Sequence, residues 1–395
     1  MTPRVVILGA GVAGLTTALA LARAGAPVDV LERDKAPAPF GRRTAASWVR
    51  DGTPQAQHAH VFGPECHRVL ASEMPDVLSL LLAAGARESS LPGPGPGTAL
   101  AVRRPLFDWV LRRVAEREPG VRVHCGTAAT GLRTDGSRLT GVVVRDGVLS
   151  ADVAVDATGS RGQVPGWLAD LGYSCAHPPP AGPTSFTTYY SRCYALRWPG
   201  EPGALNLGVA AGGALDGYDC RAVPGDNGTV TVTFGIPAAS VAELAALRMP
   251  GGFQAAVEQV PVVADWVDPG AADPLTGVAV LTEWPSVTAP GLSSIATLPG
   301  LVAVGDARGV PDPAADHGVA VAMAHALACA GAILAGGPHP AADLEQRVHA
   351  APTTCPVEAG LPTPRPALLN GPSAHELARI AESVGMAAPV GVSAG

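Results

Sequence analysis

The sequence predicts an α/β fold in which a parallel sheet, built from the two ends of the chain, is interleaved with a separate antiparallel sheet built from its middle. Three stretches carry that prediction. Residues 4–34, RVVILGAGVAGLTTALALARAGAPVDVLERD, read as strand, turn, helix and strand. Residues 298–333, LPGLVAVGDARGVPDPAADHGVAVAMAHALACAGAI, read as a strand ending at Gly305-Asp306, a loop, and an apolar helix starting near Gly318. Between them SFTTYYSRCYAL, GTVTVTFGI and LTGVAVLTEW are rich in β-branched and aromatic residues that alternate in part, as antiparallel strands do.

The first stretch is the most specific. VVIL, residues 5–8, is a continuous apolar run of the kind a strand covered on both faces needs, and Gly9 interrupts it at once. From Val12 the period changes: Leu15, Leu19 and Ala22 fall on one helical stripe, Gly25 offers a left-handed stop, and PVDVLE returns as a strand. Gly9, Gly11 and Gly14 have the GxGxxG spacing, which permits a tight turn, close approach of a pyrophosphate to the backbone, and close helix–strand packing. Glu32, followed by Arg33, ends the second strand, where a carboxylate accepts hydrogen bonds from ribose hydroxyls. This is a Rossmann-like dinucleotide-binding pattern. It does not by itself choose between FAD and NAD.

Composition excludes several classes. The 395 residues are 47% hydrophobic and 15% charged, which suits a globular enzyme with sizeable cores and not a disordered chain. Lys35 is the only lysine, and a net charge of -7 gives no footprint for nucleic acid. Seven scattered cysteines without a CxxC pair point to a reduced, cytoplasmic setting, and no secretory leader or membrane span is expected. His58 and His60 lie two apart on an extended stretch without a third ligand, so no metal site is expected. In TGSRG, Thr158 stands where a nucleophile elbow needs its first glycine, which removes Ser160 as a hydrolase nucleophile.

The second glycine turn, with its GDA at 305–307, resembles the FAD-dependent monooxygenases of the aromatic-hydroxylase and epoxidase type, including their secondary-metabolite branch; the likeness covers most of residues 4–335. The resemblance implies FAD as cofactor, Asp306 after Gly305 on a ribityl hydroxyl, and Pro313, Gly318 and Val319 against the flavin ring. A helix start there would present N–H groups and partial positive charge to the reduced, negatively charged ring. The turn departs from the usual NPxxGxG in having Asp312 and Asp316, and His317 beside it is either a proton source or a solvent-facing residue. RDGTPQAQHAHVF, 50–62, resembles the branch's PQxxHxH segment, which implies Gln55, His58 and His60 as groups that orient flavin or substrate. VRRPLFDWVLRRV resembles a helix whose Arg, here Arg104, reaches the FAD. DATGS at 156–160 resembles a further family segment but carries Thr158 in place of an Asp.

The implied organisation is an FAD-binding domain from 1–75, 97–170 and 290–350, a substrate domain from 76–96 and 171–289, and a Pro-rich segment with a short helix over 351–395. Residues 195–228, dense in Gly and Pro, read as long loops. Tyr190 and Arg192 share one face of their strand with Tyr194 and are candidates to line the substrate pocket. The implied activity is hydroxylation or epoxidation of a bulky apolar natural-product intermediate through a flavin C4a-hydroperoxide. NAD(P)H or a separate flavin reductase would supply the electrons. Alternatives are an FAD-dependent dehydrogenase or reductase, and a non-redox cyclase that keeps FAD structurally. A halogenase would need an active-site lysine, and Lys35 sits on the adenosine side.

Overall fold

The computed structural model describes residues 2–35, 48–91, 97–173, 175–176, 185–286, 295–296, 298–309, 317–335 and 369–385. Two sheets organise them. The first is parallel and five-stranded, in the order Leu301–Ala303, Val153–Asp156, Val5–Leu8, Val28–Glu32, Val121–Cys125. Every residue of Val5–Leu8 is buried, because alternate side chains enter two different cores. Val5 and Ile7 pack under the helices Val12–Arg23, Arg104–Arg117 and Gly318–Leu334, whereas Val6 and Leu8 meet the meander Ala129–Thr134, Leu139–Val144, Gly147–Ser150 and the helix Val164–Asp170. A strand with no solvent face must be apolar throughout, which is why VVIL does not alternate.

Val5–Leu8 has the Val28–Glu32 strand on one side and Val153–Asp156 on the other, so chain order reverses at its edge. In an open α/β sheet the crevice at such a reversal, beyond the carboxyl ends of the strands, is where ligands bind.

The second sheet is antiparallel, in the order Ala211–Leu215, Tyr218–Pro224, Thr229–Pro237, Ser185–Leu196, with both Ala272–Pro274 and Ala279–Ser286 paired to Ser185–Leu196. Its far face is a core of its own, in which Tyr190, Tyr194, Val232 and Phe234 pack against the helices Pro250–Val257 and Ala374–Gly385. Phe234 and Phe253 meet edge to face at 5.3 Å. The near face turns toward the parallel sheet.

Two expectations change. The hairpin Ala211–Leu215/Tyr218–Pro224 lies inside the stretch read as loops. Tyr218, Cys220 and Ala222 alternate into the core, and Gly212 fits only as glycine, at φ +116 with a Cβ that would meet the Cys220 carbonyl oxygen at 2.0 Å. Gly and Pro density misread here as irregular backbone is partly a demand for close strand contact. Likewise Val77 and Leu81, within the segment assigned to the substrate domain, pack in the parallel-sheet core, since the apolar stripe of Pro75–Ala83 faces that way.

The sheets are fastened by Arg103, which enters the helix Arg104–Arg117, and Asp226, in the turn before Thr229–Pro237. Arg103 donates from its backbone N and its Nε to Asp226 Oδ1, both at 3.0 Å, and from Nη2 to Oδ2 at 2.7 Å. Burial pushes the fully buried Asp226 carboxyl up, but the Arg103 guanidinium more than offsets this and holds it below the usual carboxylate range. Beside it Asn227, at φ 55, donates from its side chain to Ala84 O.

Candidate functional site

A cavity of about 840 Å³ opens at the reversal point and runs to the near face of the antiparallel sheet. The glycine turn forms one end. Gly9 adopts φ +104, and a Cβ there would come within 2.5 Å of Ala157 O; one on Gly14 would come within 2.0 Å of Gly9 O. Gly11 is different, since its Cβ would meet nothing within 4 Å. Thus Gly9 and Gly14 serve the turn and helix packing, while Gly11 keeps a path open to the start of Val12–Arg23. That helix has no side-chain cap and no acidic residue in its first turn, so none of its own side chains competes for its N-terminal N–H groups.

Glu32 lines the cavity and is buried. Its Oε2 accepts from Ala10 N at 3.1 Å and from Arg50 Nη2 at 2.6 Å, and its Oε1 accepts from Asp34 N at 3.0 Å. Arg50 extends the network to Asp34 at 3.6 Å and Asp108 at 3.7 Å, and Asp108 in turn accepts from Arg104 Nε at 2.6 Å. Arg33 and Arg104 also line the cavity. Arg50 was not singled out in the sequence; it precedes the DGTPQ turn, and only the fold brings it onto Glu32. Buried charges of both signs fix one another, which positions Glu32 and Arg104 before any ligand arrives.

At the other end of the parallel sheet Gly305–Ala307 forms a short turn. Gly305, at φ +60, lets this turn press onto Ala13, whose Cβ would lie 2.9 Å from a Cβ at 305. So the two remote glycine turns touch. Asp306, Gly318 and Val319 line the same cavity as Gly9 and Gly11, with His317 at the start of the helix Gly318–Leu334. Burial holds the Asp306 carboxyl above its ordinary value, against the pull of the Arg104 guanidinium. Pro313, Asp312 and Asp316 lie outside the described residues. Thr158 donates from N and Oγ1 to Asp156 Oδ1, at 3.0 and 2.5 Å, so the Thr that replaces an Asp binds its own strand end.

The segment Thr53–Phe62 crosses between the sheets, and Gln55, His58 and His60 all line the cavity. His58 Nδ1 lies 2.7 Å from Ser191 Oγ, Ser191 Oγ lies 2.7 Å from Thr233 Oγ1, and Thr233 Oγ1 accepts from Ala59 N at 3.1 Å. His60 Nδ1 donates to His58 O at 3.0 Å. Burial, and secondarily charge on His60, lowers His58 to about 3. Burial with the Arg104 charge lowers His60 to about 4, against smaller upward pulls from its bond to His58 O and from Asp108. Both imidazoles are therefore neutral near pH 7.

Tyr190 and Arg192 are not in the cavity. Tyr190 is fully buried in the far core, and Arg192 donates to Thr276 O and Pro250 O and lies over the Tyr194 ring. The strand presents its odd residues instead: Thr187 and Tyr189 line the cavity, and Ser191 meets His58. Gly235 makes room for the Tyr189 ring, since a Cβ there would sit 3.2 Å from Tyr189 Cε1. A shift of one residue exchanges the two faces of a strand, and both faces here carry aromatic residues.

Comparison with known proteins bears on the glycine turn first. Residues 4–88 match the family model described as FAD dependent oxidoreductase. A curated relative, the probable electron transfer flavoprotein-quinone oxidoreductase YgcN of Escherichia coli K12, is 34% identical over 160 residues, which is 40% of this chain and 36% of that protein. The match therefore spans little more than a third of that relative. Among solved structures, the myxobacterial chondrochloren halogenase CndH is similar with a TM-score of 0.60 at 19% identity, over 87% of this chain and 78% of that one. PqsL of Pseudomonas aeruginosa, described as a probable FAD-dependent monooxygenase, is similar with a TM-score of 0.59 at 16% identity, over 88% of this chain and 92% of that one. At these identities the structural likeness establishes the fold: a parallel, Rossmann-like sheet joined to a separate antiparallel sheet. Among the described residues no helix is long and apolar enough to cross a membrane, and no cluster of His, Cys, Asp and Glu is suited to a metal ion.

Proposed function

We propose that the protein binds FAD across the reversal point of its parallel sheet and is an FAD-dependent monooxygenase that hydroxylates or epoxidises a bulky, largely apolar organic intermediate of natural-product type. One observation carries this reading: a single cavity joins the Gly9–Gly14 turn, Glu32, Arg104, Asp306 and the start of Gly318–Leu334 to the wall of the antiparallel sheet. The residues fit the cofactor in kind. Gly11 leaves the helix start open for a pyrophosphate, and Glu32 has acceptor capacity left on Oε1 for a ribose hydroxyl. Asp306 lines the cavity within the influence of Arg104, and its carboxylate is of the kind that accepts from a ribityl hydroxyl. The cofactor, when bound and reduced by NAD(P)H or a partner reductase, supplies oxygen activation.

The chain's own part is to hold, orient and shield. The start of Gly318–Leu334, on the cavity wall, would offer N–H groups and partial positive charge to a bound, negatively charged ring. Neutral His58 and His60 add polar contacts without a counter-charge. Leu215, Tyr218, Val223, Leu281 and the Tyr189 ring give the opposite wall the apolar surface a bulky substrate needs. The names of the similar structures, a halogenase and a probable monooxygenase, support oxygen-dependent flavin chemistry. The presence of Lys35 alone, which follows Glu32 and Asp34 at the opposite end from Asp306, favours oxygenation over halogenation.

The test is direct. The purified protein is expected to be yellow, to bleach on addition of NADPH alone or with a flavin reductase, and to recover its colour in air. A colourless protein that takes up no FAD overturns the reading. Substrate turnover under strictly anaerobic conditions with oxidised flavin would replace oxygenation with a non-redox ring closure.

A further inference from the structure

The chain of hydroxyls behind His58 has a direction. Thr233 Oγ1 accepts the backbone N–H of Ala59, and this is a donor that cannot be reversed. The Thr233 hydroxyl proton then needs an acceptor, and the only one paired with it among the described residues is Ser191 Oγ, 2.7 Å away. Ser191, having accepted, gives its own proton to its other partner among the described residues, His58 Nδ1, also at 2.7 Å. Run the other way, with Nδ1–H donating to Ser191 and Ser191 to Thr233, the Thr233 proton finds no protein acceptor among the described residues and is left to point into the cavity that Thr233 lines. The ordered chain therefore removes the proton from Nδ1 and puts it on Nε2.

His60 is fixed in the opposite sense. A carbonyl oxygen only accepts, so the contact with His58 O puts the proton on His60 Nδ1 and leaves its Nε2 bare. Two neutral imidazoles two residues apart thus carry opposite tautomers. Both line the cavity, and His58 stands on the antiparallel-sheet side, with its ring 6.2 Å from that of Tyr189.

We propose that Thr233 and Ser191 are positioning residues that lock His58 as its Nε2–H tautomer, and that this N–H is a hydrogen-bond donor for a carbonyl or quinone oxygen on the substrate. The proposal names a substrate class for the cavity described above and so rests on that reading. It selects a neutral oxygen acceptor over an ammonium group, which the uncharged N–H would repel. It also selects against a purely hydrocarbon ligand, which would leave the donor unpaired.

Two measurements test it, each on FAD-loaded protein whose flavin content is determined separately, so that failure to bind FAD is recognised as failure of the earlier reading. In histidine-15N-labelled protein near pH 7, with assignments made through His58→Gln and His60→Gln, His58 is expected to be protonated at Nε2 alone and His60 at Nδ1 alone. Thr233→Val, which frees the Ser191 hydroxyl to turn, should convert His58 to a mixture of tautomers, and Thr233→Ser should restore the single form. A His58 protonated at Nδ1 or at both nitrogens, or one unmoved by Thr233→Val in a protein that still holds flavin, overturns the assignment.

For the substrate class, binding of 2-acetylnaphthalene and 2-ethylnaphthalene is compared by equilibrium dialysis. The preference for the ketone is expected to fall about tenfold in His58→Phe, the ratio expected for one hydrogen bond. If the preference is unchanged, the donor does not face the substrate. If the tautomer signals respond to FAD loading and not to the ketone, the acceptor is the cofactor, and the assignment to substrate is likewise overturned.

Discussion

Glycines at 9, 11 and 14 look alike in a motif and do different work in the molecule. Gly14 is bound by backbone: a methyl there would meet the Gly9 carbonyl at 2.0 Å, and neither the turn nor the helix start can retreat without parting from the other. Gly14→Ala is expected to cost about 1–3 kcal/mol, as overpacking of a tight contact does, visible as a lowered urea midpoint with or without FAD. Gly11→Ala meets nothing in the protein and should leave the FAD-free midpoint within about 0.5 kcal/mol of the parent, the usual range for a substitution that touches nothing. Its effect should appear in flavin affinity alone, as a dissociation constant raised by tenfold or more in fluorescence titration. Equal effects of both variants on the FAD-free protein would mean that the space before Gly11 is not kept for a ligand. At this scale the sequence was informative because glycine spacing answers to local backbone geometry. Arg50 was hidden for the opposite reason: its meeting with Glu32 depends on where a non-repetitive segment crosses the sheet edge, and no local pattern records that.

Elements were legible in proportion to their regularity. VVIL and the stripe of Leu15 and Leu19 announce a strand and a helix because covered strands and one-sided helices impose different periods. The strand Ser185–Leu196 was recognised as well, but not its phase, since Tyr189 and Tyr190 offer an aromatic to either face. What decides between them lies elsewhere in the chain: Gly235 gives room to Tyr189, and Phe234 and Phe253 claim the side of Tyr190. The turn carrying Asp226 makes an energetic claim that can be measured. Arg103→Met leaves a fully buried carboxylate without the guanidinium paired with it, and loss of one partner of such a pair costs about 3–5 kcal/mol. Arg103→Met with Asp226→Asn should recover part of that loss, so the double-mutant cycle from chemical denaturation should show strong coupling. Because the Asp226 value is lowered in the folded protein, its contribution is present above the ordinary carboxylate range and is lost as pH falls through the lowered value. The difference between the parent and Arg103→Met should therefore shrink in strong acid. A cycle with no coupling would make the contact a bystander.

Two sheets, each with its own packing, have one segment threaded between them, and that segment is where solution conditions enter. Phe62 stacks on Phe107 at 4.8 Å and pairs with Leu100 on the parallel-sheet side, while His58 and Ala59 bond to Ser191 and Thr233 on the other. Protonation of His58 is therefore expected to weaken the contact between the two sheets; its surroundings include His60 and, beyond it, the Arg104–Asp108 pair. Its folded value, about 3, lies below the unfolded value of 6.5, so the unfolded chain binds the proton more readily. Stability is complete above the unfolded value and is lost as pH falls from there toward the folded one. Over the interval from pH 6.5 to 5 the loss through this one group is about 2 kcal/mol, at roughly 1.4 kcal/mol per pH unit. Urea unfolding at pH 7 and pH 5, in the same excess of free FAD, should show His58→Gln losing less stability on acidification than the parent by about that amount. Since His58 reaches Ser191 on the antiparallel sheet, the acid-induced loss should be accompanied by an earlier change in flavin fluorescence than in far-UV circular dichroism. The cavity between the sheets would then open before their cores unfold. Coincident transitions at both pH values, with no difference between parent and variant, would mean that the sheets are held together by the Arg103–Asp226 contact and their apolar packing alone.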